Sequence, residues 1–306
     1  MDVGVPPSLL RALAAAADAP WPPVTAGDCD RLLAHAATAG LLPLLFETPG
    51  PPVFHDALQR QQGHRRLAAR RCEILLQGLE AVGRALGDEP FVVLKGADYA
   101  RRLYARPDLR PMQDLDVLVP RARLPHVYAR LAEAGATPRA LWRIAAHAES
   151  AHERPFVLGD VVVEVHQAFV QRARHRVDYD AIWERRVACG PGSAVARLED
   201  TDALVAHAVS LAKDGFSVPL VRYLDLRLLL PRARLDQAAA RAREWSTVRV
   251  LFGALSQALA LMPELRTPER EEFLRELLPR RSRAFLEERV LPPLGEQGRA
   301  RAVSRG

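Results

Sequence analysis

The sequence predicts an α+β protein in which N- and C-terminal helical regions flank a small mixed β-sheet. Three observations carry that reading. Leucine and alanine recur at helical spacing through residues 7–86. Short β-branched runs, FVVL, DLDVLVP and VVVEVHQ, then replace that texture between 91 and 170. Helical spacing returns from about 178 through LVAHAVSLAKD, VRYLDLRLLL and LFGALSQALALM. The domain boundaries read accordingly as 1–88, 89–170 and 171–306.

Taken in order, residues 7–47 hold two helices interrupted at Trp21-Pro22-Pro23 and at Gly40. One long helix is expected from His55 to Leu86, with Leu58, Leu67, Ile74, Leu75, Leu79 and Val82 sharing an apolar stripe. The arginines at 60–71 read better as a solvated helix face than as a nucleic-acid patch. FVVL (91–94) is a strand, and KGADYARRLYA (95–105) turns into a helix. RPDLRPM (106–112) is a proline-punctuated loop, and DLDVLVP (114–120) is a second strand. A helix over 121–135 ends at Gly135, and WRIAAHAESAHE is irregular or helical. RPFVL (154–158) and VVVEVHQAFV (161–170), joined by Gly159-Asp160, form a hairpin. The tail after 295 is expected to be loose.

The composition, 49% hydrophobic and 26% charged, is that of a globular chain. Charges interrupt every apolar run before the roughly 18 residues a membrane span needs, and the acidic N-terminus makes a poor signal peptide. Cys29, Cys72 and Cys189 form neither a disulfide framework nor a metal knuckle, so a reducing cytoplasm is expected. The net charge of +6 points weakly to an anionic partner. Only Lys95 and Lys213 are lysines among 43 basic residues, which marks both as places where a compact point charge is kept.

The chemistry concentrates in the sheet. Asp114 and Asp116, one residue apart on a strand, point to one face while Leu115 and Val117 point to the other. Such a pair is costly to desolvate unless compensated. Glu164 interrupts a later valine run in the same way, with His166 on its side. Three carboxylates on neighbouring strands would suit Mg²⁺, and two ions could align an attacking oxygen with a leaving pyrophosphate. Asp-x-Asp alone is a weak signal; the third carboxylate and an upstream Lys95-Gly96 step strengthen it. Gly96 would let backbone N–H groups approach a phosphate, or simply make a tight strand-to-helix turn.

The segment LKGADYARRLYARPDLRPMQDLDVLV, followed by VVVEVHQAF, resembles the uncharacterised nucleotidyltransferases of the DNA polymerase β-like superfamily. The resemblance covers about 90–170 and extends more loosely through ALVAHAVSLAKDGFSVPLVRYLDLRLLL. It implies a nucleotidyltransferase core that moves a nucleoside monophosphate, AMP from ATP, onto an unidentified acceptor with Mg²⁺. By that resemblance Asp114, Asp116 and Glu164 are the catalytic carboxylates and metal ligands, converging at the edge of the sheet. Lys95, Gly96, Arg110 and Lys213 would contact the nucleotide, although Lys-Gly-Ala departs from the superfamily's Gly-Ser or Gly-Gly. His166 would orient a carboxylate or contact the acceptor. His207 reads as a packed core histidine, and Asp225 as a partner for Arg222 or Arg227.

Two other readings stand beside this one. A non-catalytic module of the same fold would bind nucleotide or a partner protein. An Asp-x-Asp glycosyltransferase would need a Rossmann-like half that the helical residues 1–88 do not offer. The acceptor, whether small molecule, peptide, protein or RNA end, is left open; at 6% aromatics with no aromatic–basic interleaving, a dedicated RNA enzyme is disfavoured.

Overall fold

The computed structural model describes residues 23–139, 153–170, 175–190, 193–289 and 291. The helix expected before Trp21, nearly all of WRIAAHAESAHE and the tail after 295 lie outside these residues. The described chain divides into two compact units. A helical unit takes the residues up to Ala68, Leu204–Arg243 and the chain from Thr247 onward. A sheet unit takes Ala69–Ala203 with Glu244–Ser246. None of the described helices is long and apolar enough to cross a membrane.

The architecture is α+β, as the sequence predicts. In the helical unit, α1 (Ala26–Thr38), α2 (Leu42–Leu45) and α3 (Pro52–Arg60) precede α4 (Gln62–Leu86). The single helix expected over 55–86 is therefore two. At Gln61 the backbone N–H reaches back only to the Leu58 carbonyl, at 2.8 Å, and the register restarts. Arg60, Gln61, Gln62 and Gly63 offer no apolar side chain that burial could hold in line. Leu67 correspondingly falls off the expected stripe and is 69% exposed, while Leu75, Leu79 and Val82 are buried. Most of the arginine row pairs with nearby carboxylates, Arg60 with Asp30, Arg65 with Glu47 and Arg70 with Glu73, as a solvated face would.

The sheet unit carries seven strands in the order β3-β4-β5-β2-β1-β7-β6. They are β1 (Phe91–Val93), β2 (Leu115–Leu118), β3 (Thr137–Pro138), β4 (Glu153–Leu158), β5 (Val161–His166), β6 (Val187–Ala188) and β7 (Val195–Arg197). The β4–β5 hairpin turns at Gly159-Asp160 as expected. β2 pairs antiparallel with β1 and parallel with β5, so it is a central strand rather than an edge. β6 and β7 lie in a stretch the sequence reads as helical. They are two and three residues long, too short to show a period, and β7 joins the sheet by parallel pairing with β1.

Helices complete the unit: α5 (Lys95–Arg102), α6 (Leu124–Glu133) and α7 (Tyr179–Arg185). One core joins Leu75, Leu79, Val82 and Leu86 of α4 to Leu115, Val117, Val163 and Val165 of the central strands. Arg71, next along α4, donates to the carbonyls of Gln113 and Asp160, tying the approach to β2 to the hairpin turn. In the helical unit, α8 (Asp200–Lys213, shared at its start with the sheet unit), α9 (Leu220–Leu229) and α10 (Leu235–Glu244) lead to α11 (Val248–Leu261). α11 packs against α9, α12 (Pro268–Leu277) and α13 (Arg280–Arg289).

Helix α4 approaches the sheet closely at Gly78. A β-carbon there would stand 2.7 Å from Val161 Cγ2 and 3.1 Å from its Cβ, a stiff branched neighbour. Gly78→Ala is therefore expected to destabilise the protein by about 1–2 kcal/mol despite alanine's better helix propensity. In a Val161→Ala background the same change should become neutral or stabilising. Urea unfolding of the four proteins reads this coupling, and simple additivity would refute it.

Candidate functional site

The site is built where β1 hands over to α5 beside β2. The Leu94 N–H donates to the Asp116 carbonyl at 2.9 Å, and the chain then turns at Lys95, whose φ is 44°. A non-glycine residue in the left-handed region costs roughly 1–2 kcal/mol. The turn delivers Lys95 Nζ to 2.8 Å from Asp116 Oδ1. Gly96, expected to make this turn, is instead an ordinary helical residue with no positive φ. Its missing side chain serves close packing: a β-carbon would lie 2.9 Å from Arg110 Nη1 and 3.3 Å from Met112 Cγ. Arg110, nearly buried against it, donates from Nη1 to the Pro111 carbonyl.

Parallel pairing sets Asp116 directly opposite Glu164 and Leu118 opposite His166. Period-two alternation puts all four on the face away from Leu115, Val117, Val163 and Val165. His166 is buried, with Nε2 2.7 Å from Asp116 Oδ1 and 3.8 Å from Glu164 Oε2. On the ring's other side Nδ1 lies 3.4 Å from Glu153 Oε2. Glu153 escaped the sequence reading, yet hairpin register could have found it. A two-residue turn at 159–160 pairs Leu158 with Val161 and hence Glu153 with His166.

Burial alone would raise Asp116, but the Lys95 ammonium and the hydrogen bond with His166 hold it well below the usual carboxylate range. Glu164 is pushed up to about 7 by burial, then by the charges of Asp116, Glu153 and Asp114. Asp114, half-buried one residue before β2, is raised by burial and by Asp116, against Lys95, Arg110 and His166. Neighbouring carboxylates thus meet quite different fields.

Asp116, Glu164 and His166 each offer a ligand atom, and the three atoms lie within 4.8 Å of one another. This donor set fits a divalent cation: the carboxylates suit Mg²⁺ or Mn²⁺, and the imidazole admits softer ions. The raised Glu164 supports the fit, since several carboxylates press on it and a cation would relieve them. Asp114 stands outside this group of three, although it shares their field. Lys213 is an exposed residue in the last turn of α8, in the helical unit.

The sequence reading also missed the anchor of α5. Arg102 Nε donates to both oxygens of Asp98, at 2.8 and 2.9 Å, and its Nη1 to Asp200 at 2.6 Å. Arg197, at the end of β7, reaches the same Asp200 oxygen. Burial pushes Asp98 up to about 6 in spite of Arg102. The i,i+4 pair was readable from spacing; Asp200, nearly a hundred residues on, was not. In the helical unit His207 is a core histidine donating to the Arg222 carbonyl, while Arg222 pairs with Asp214 and Arg227 faces Glu264.

A family model described as an uncharacterised nucleotidyltransferase matches residues 25–263. No curated protein matches the chain.

Two stability measurements probe this geometry. Lys95→Ala and Lys95→Gly both remove the ammonium, but only glycine relieves the left-handed turn. The glycine variant is expected to be more stable than the alanine one by about 1 kcal/mol; equal stability would show that the turn is unstrained. For Glu164 the folded value, about 7, lies above the ordinary 4.5. Its destabilising contribution is absent below pH 4.5, grows as the pH rises and is complete above about pH 7. Metal-free Glu164→Gln should therefore be more stable than wild type by roughly 1–3 kcal/mol at pH 8. The gain should shrink sharply by pH 5, and a gain independent of pH would contradict this origin.

Proposed function

The chain belongs to the uncharacterised nucleotidyltransferase family, and on that premise we propose that it transfers a nucleoside monophosphate, AMP from ATP, to a hydroxyl or phosphate acceptor. The observation that carries the reading is the register of β2 on β5, with buried Asp116 beside Glu164 and His166 bridging them. Asp116 and Glu164 would hold Mg²⁺, with Asp114 as a further carboxylate for a second ion. When bound, the metal would neutralise the phosphates and favour an ionised acceptor oxygen.

The protein's own groups have separable parts. His166 positions Asp116 from behind. Glu164 or Asp116 would help to take the acceptor's proton. Lys95, Arg110 and the backbone at Gly96 would meet the triphosphate at the start of β2. Lys213 is a further proposed phosphate contact. The buried free thiols of Cys29 and Cys72 accord with a reducing cytoplasm as the place of action.

A specific observation favours a second reading. Lys95 and His166 already compensate Asp116, as they would in a module that binds nucleotide or a partner without turnover. Label transfer from ATP carrying a radioactive α-phosphate, supplied with Mg²⁺ and cell extract, separates the two. Asp114→Ala and Asp116→Ala should each lower transfer roughly 100-fold or more while far-UV circular dichroism stays unchanged. Transfer at the wild-type rate in both variants would overturn the enzyme reading. Calorimetric binding of Mg-ATP by a wild type that moves no label would favour the module. Because metal must displace the Glu164 proton, Mg²⁺ affinity should rise with pH up to about 7 and then level off. Titrations in buffers of different ionisation enthalpy would detect the released proton.

A further inference from the structure

We propose that Arg71 of α4 is a positioning residue for Asp114. Its guanidinium clamps the entries to β2 and β5 together and so fixes the backbone from which Asp114 meets the other carboxylates. That Asp114 serves a metal ion rests on the transfer reading above.

The arginines of 60–71 do not behave alike. Arg60, Arg65 and Arg70 meet the carboxylates of Asp30, Glu47 and Glu73, as side chains on a solvated face do. Arg71 is half-buried and bonds two backbone carbonyls far off in sequence. Nη2 donates to the Gln113 oxygen at 2.7 Å, and Nη1 donates to the Asp160 oxygen at 3.0 Å. A planar guanidinium holds its donors at a fixed spacing, so one fork sets the separation of the two carbonyls.

Both carbonyls stand where a strand begins. Gln113 comes just before Asp114 and β2, and Asp160 comes just before β5. β2 and β5 run parallel with Leu115 opposite Val163, which by counting sets Gln113 opposite Val161. The fork therefore spans the entry to this pair of strands, ahead of the Asp116–Glu164 pair. Two helical turns further along α4, on the same face, Gly78 meets Val161, so the helix lies along the start of β5.

Asp114 needs such a hold more than its neighbours do. Asp116 and Glu164 lie within β2 and β5, where pairing and the buried valines settle their facing. Asp114 precedes β2 and lies outside that ladder. Its amide nitrogen and the Gln113 carbonyl belong to one planar peptide unit. Holding the oxygen thus orients the plane from which the Asp114 side chain departs. Through Asp160 the same guanidinium ties that plane to β5, the strand that carries Glu164. Mg²⁺ tolerates little variation around roughly 2.0–2.1 Å, so a small shift of the plane would cost it a ligand.

The test uses the full-length protein with Mn²⁺ as the probe, its binding read by water-proton relaxation. Asp114→Asn should weaken binding. Arg71→Met, which keeps the aliphatic stem, should weaken it roughly tenfold in the wild-type background. In the Asp114→Asn background the same change should cost less than about twofold, because the carboxylate that Arg71 places is already gone. Arg71→Lys, carried through both backgrounds, keeps the charge without the planar fork and should behave as the methionine variant does. In metal-free Arg71→Met the amide signals of Asp114 and Val161, one bond from the two carbonyl carbons, should move in ¹⁵N NMR spectra, with far-UV circular dichroism unchanged. Losses of equal size in both backgrounds would reduce Arg71 to a support of the fold and overturn the proposal. Full recovery with lysine, or unmoved amide signals, would overturn it too. Weakened binding in Asp114→Asn with no effect of Arg71→Met removes the positioning role alone. Wild-type binding in Asp114→Asn removes the metal role of Asp114, and the positioning role with it.

Discussion

The parallel register of β2 against β5 is the constraint from which the rest follows. A strand's period of two divides its residues cleanly. Leu115, Val117, Val163 and Val165, all fully buried, face the core with α4, and Asp116 and Glu164 face the other way in adjacent positions. A slip of one residue would bring carboxylates into the core and valines out of it. Each buried valine or leucine contributes about 1.5–3 kcal/mol. The four together exceed the few kcal/mol that Glu164's displaced titration represents. Hydrophobic packing thus enforces a juxtaposition that electrostatics alone would reject.

The electrostatics are then distributed unevenly. Lys95 and His166 both approach the same oxygen of Asp116, whereas Glu164 meets the charges of Asp116, Glu153 and Asp114 with Lys95 as a lesser counterweight. One carboxylate stays ionised while its neighbour can hold a proton near neutrality. The divergence between these adjacent groups follows from their unequal partners. Lys95 reaches Asp116 only by way of its left-handed turn, so local backbone strain is exchanged for the ammonium's position. Arg102, fastened to Asp98 and Asp200, holds the helix that Lys95 begins.

Legibility in the sequence tracked the range of the interactions involved. The hairpin, the central strands and the facing of Asp116 and Glu164 on their strands rest on period and turn chemistry, and both are local. β6 and β7 were illegible because two- and three-residue strands have no period, and they join the sheet only through the pairing of β7 with β1, a hundred residues earlier. The break at Gln61 was visible in hindsight as four residues with nothing to bury. The group that could hold a metal includes His166, which strand facing had set on the side of Glu164. Glu153 was missed although simple counting from Gly159-Asp160 would have placed it.

At Gly96 the structure shows a packing role, while the unusual backbone falls to its neighbour. Glycine before a helix suggests backbone freedom and a phosphate cradle, yet here the unusual dihedral belongs to Lys95. What Gly96 provides is room for Arg110, whose Nη1 would lie 2.9 Å from any β-carbon at that position. Arg110 in turn lowers Asp114, countering burial and the charge of Asp116. A larger residue at 96 would displace the guanidinium and leave Asp114 more strongly raised, without touching a carboxylate directly. The glycine therefore acts on the site's charge through packing, and its effect reaches Asp114 by way of an arginine that needs the space.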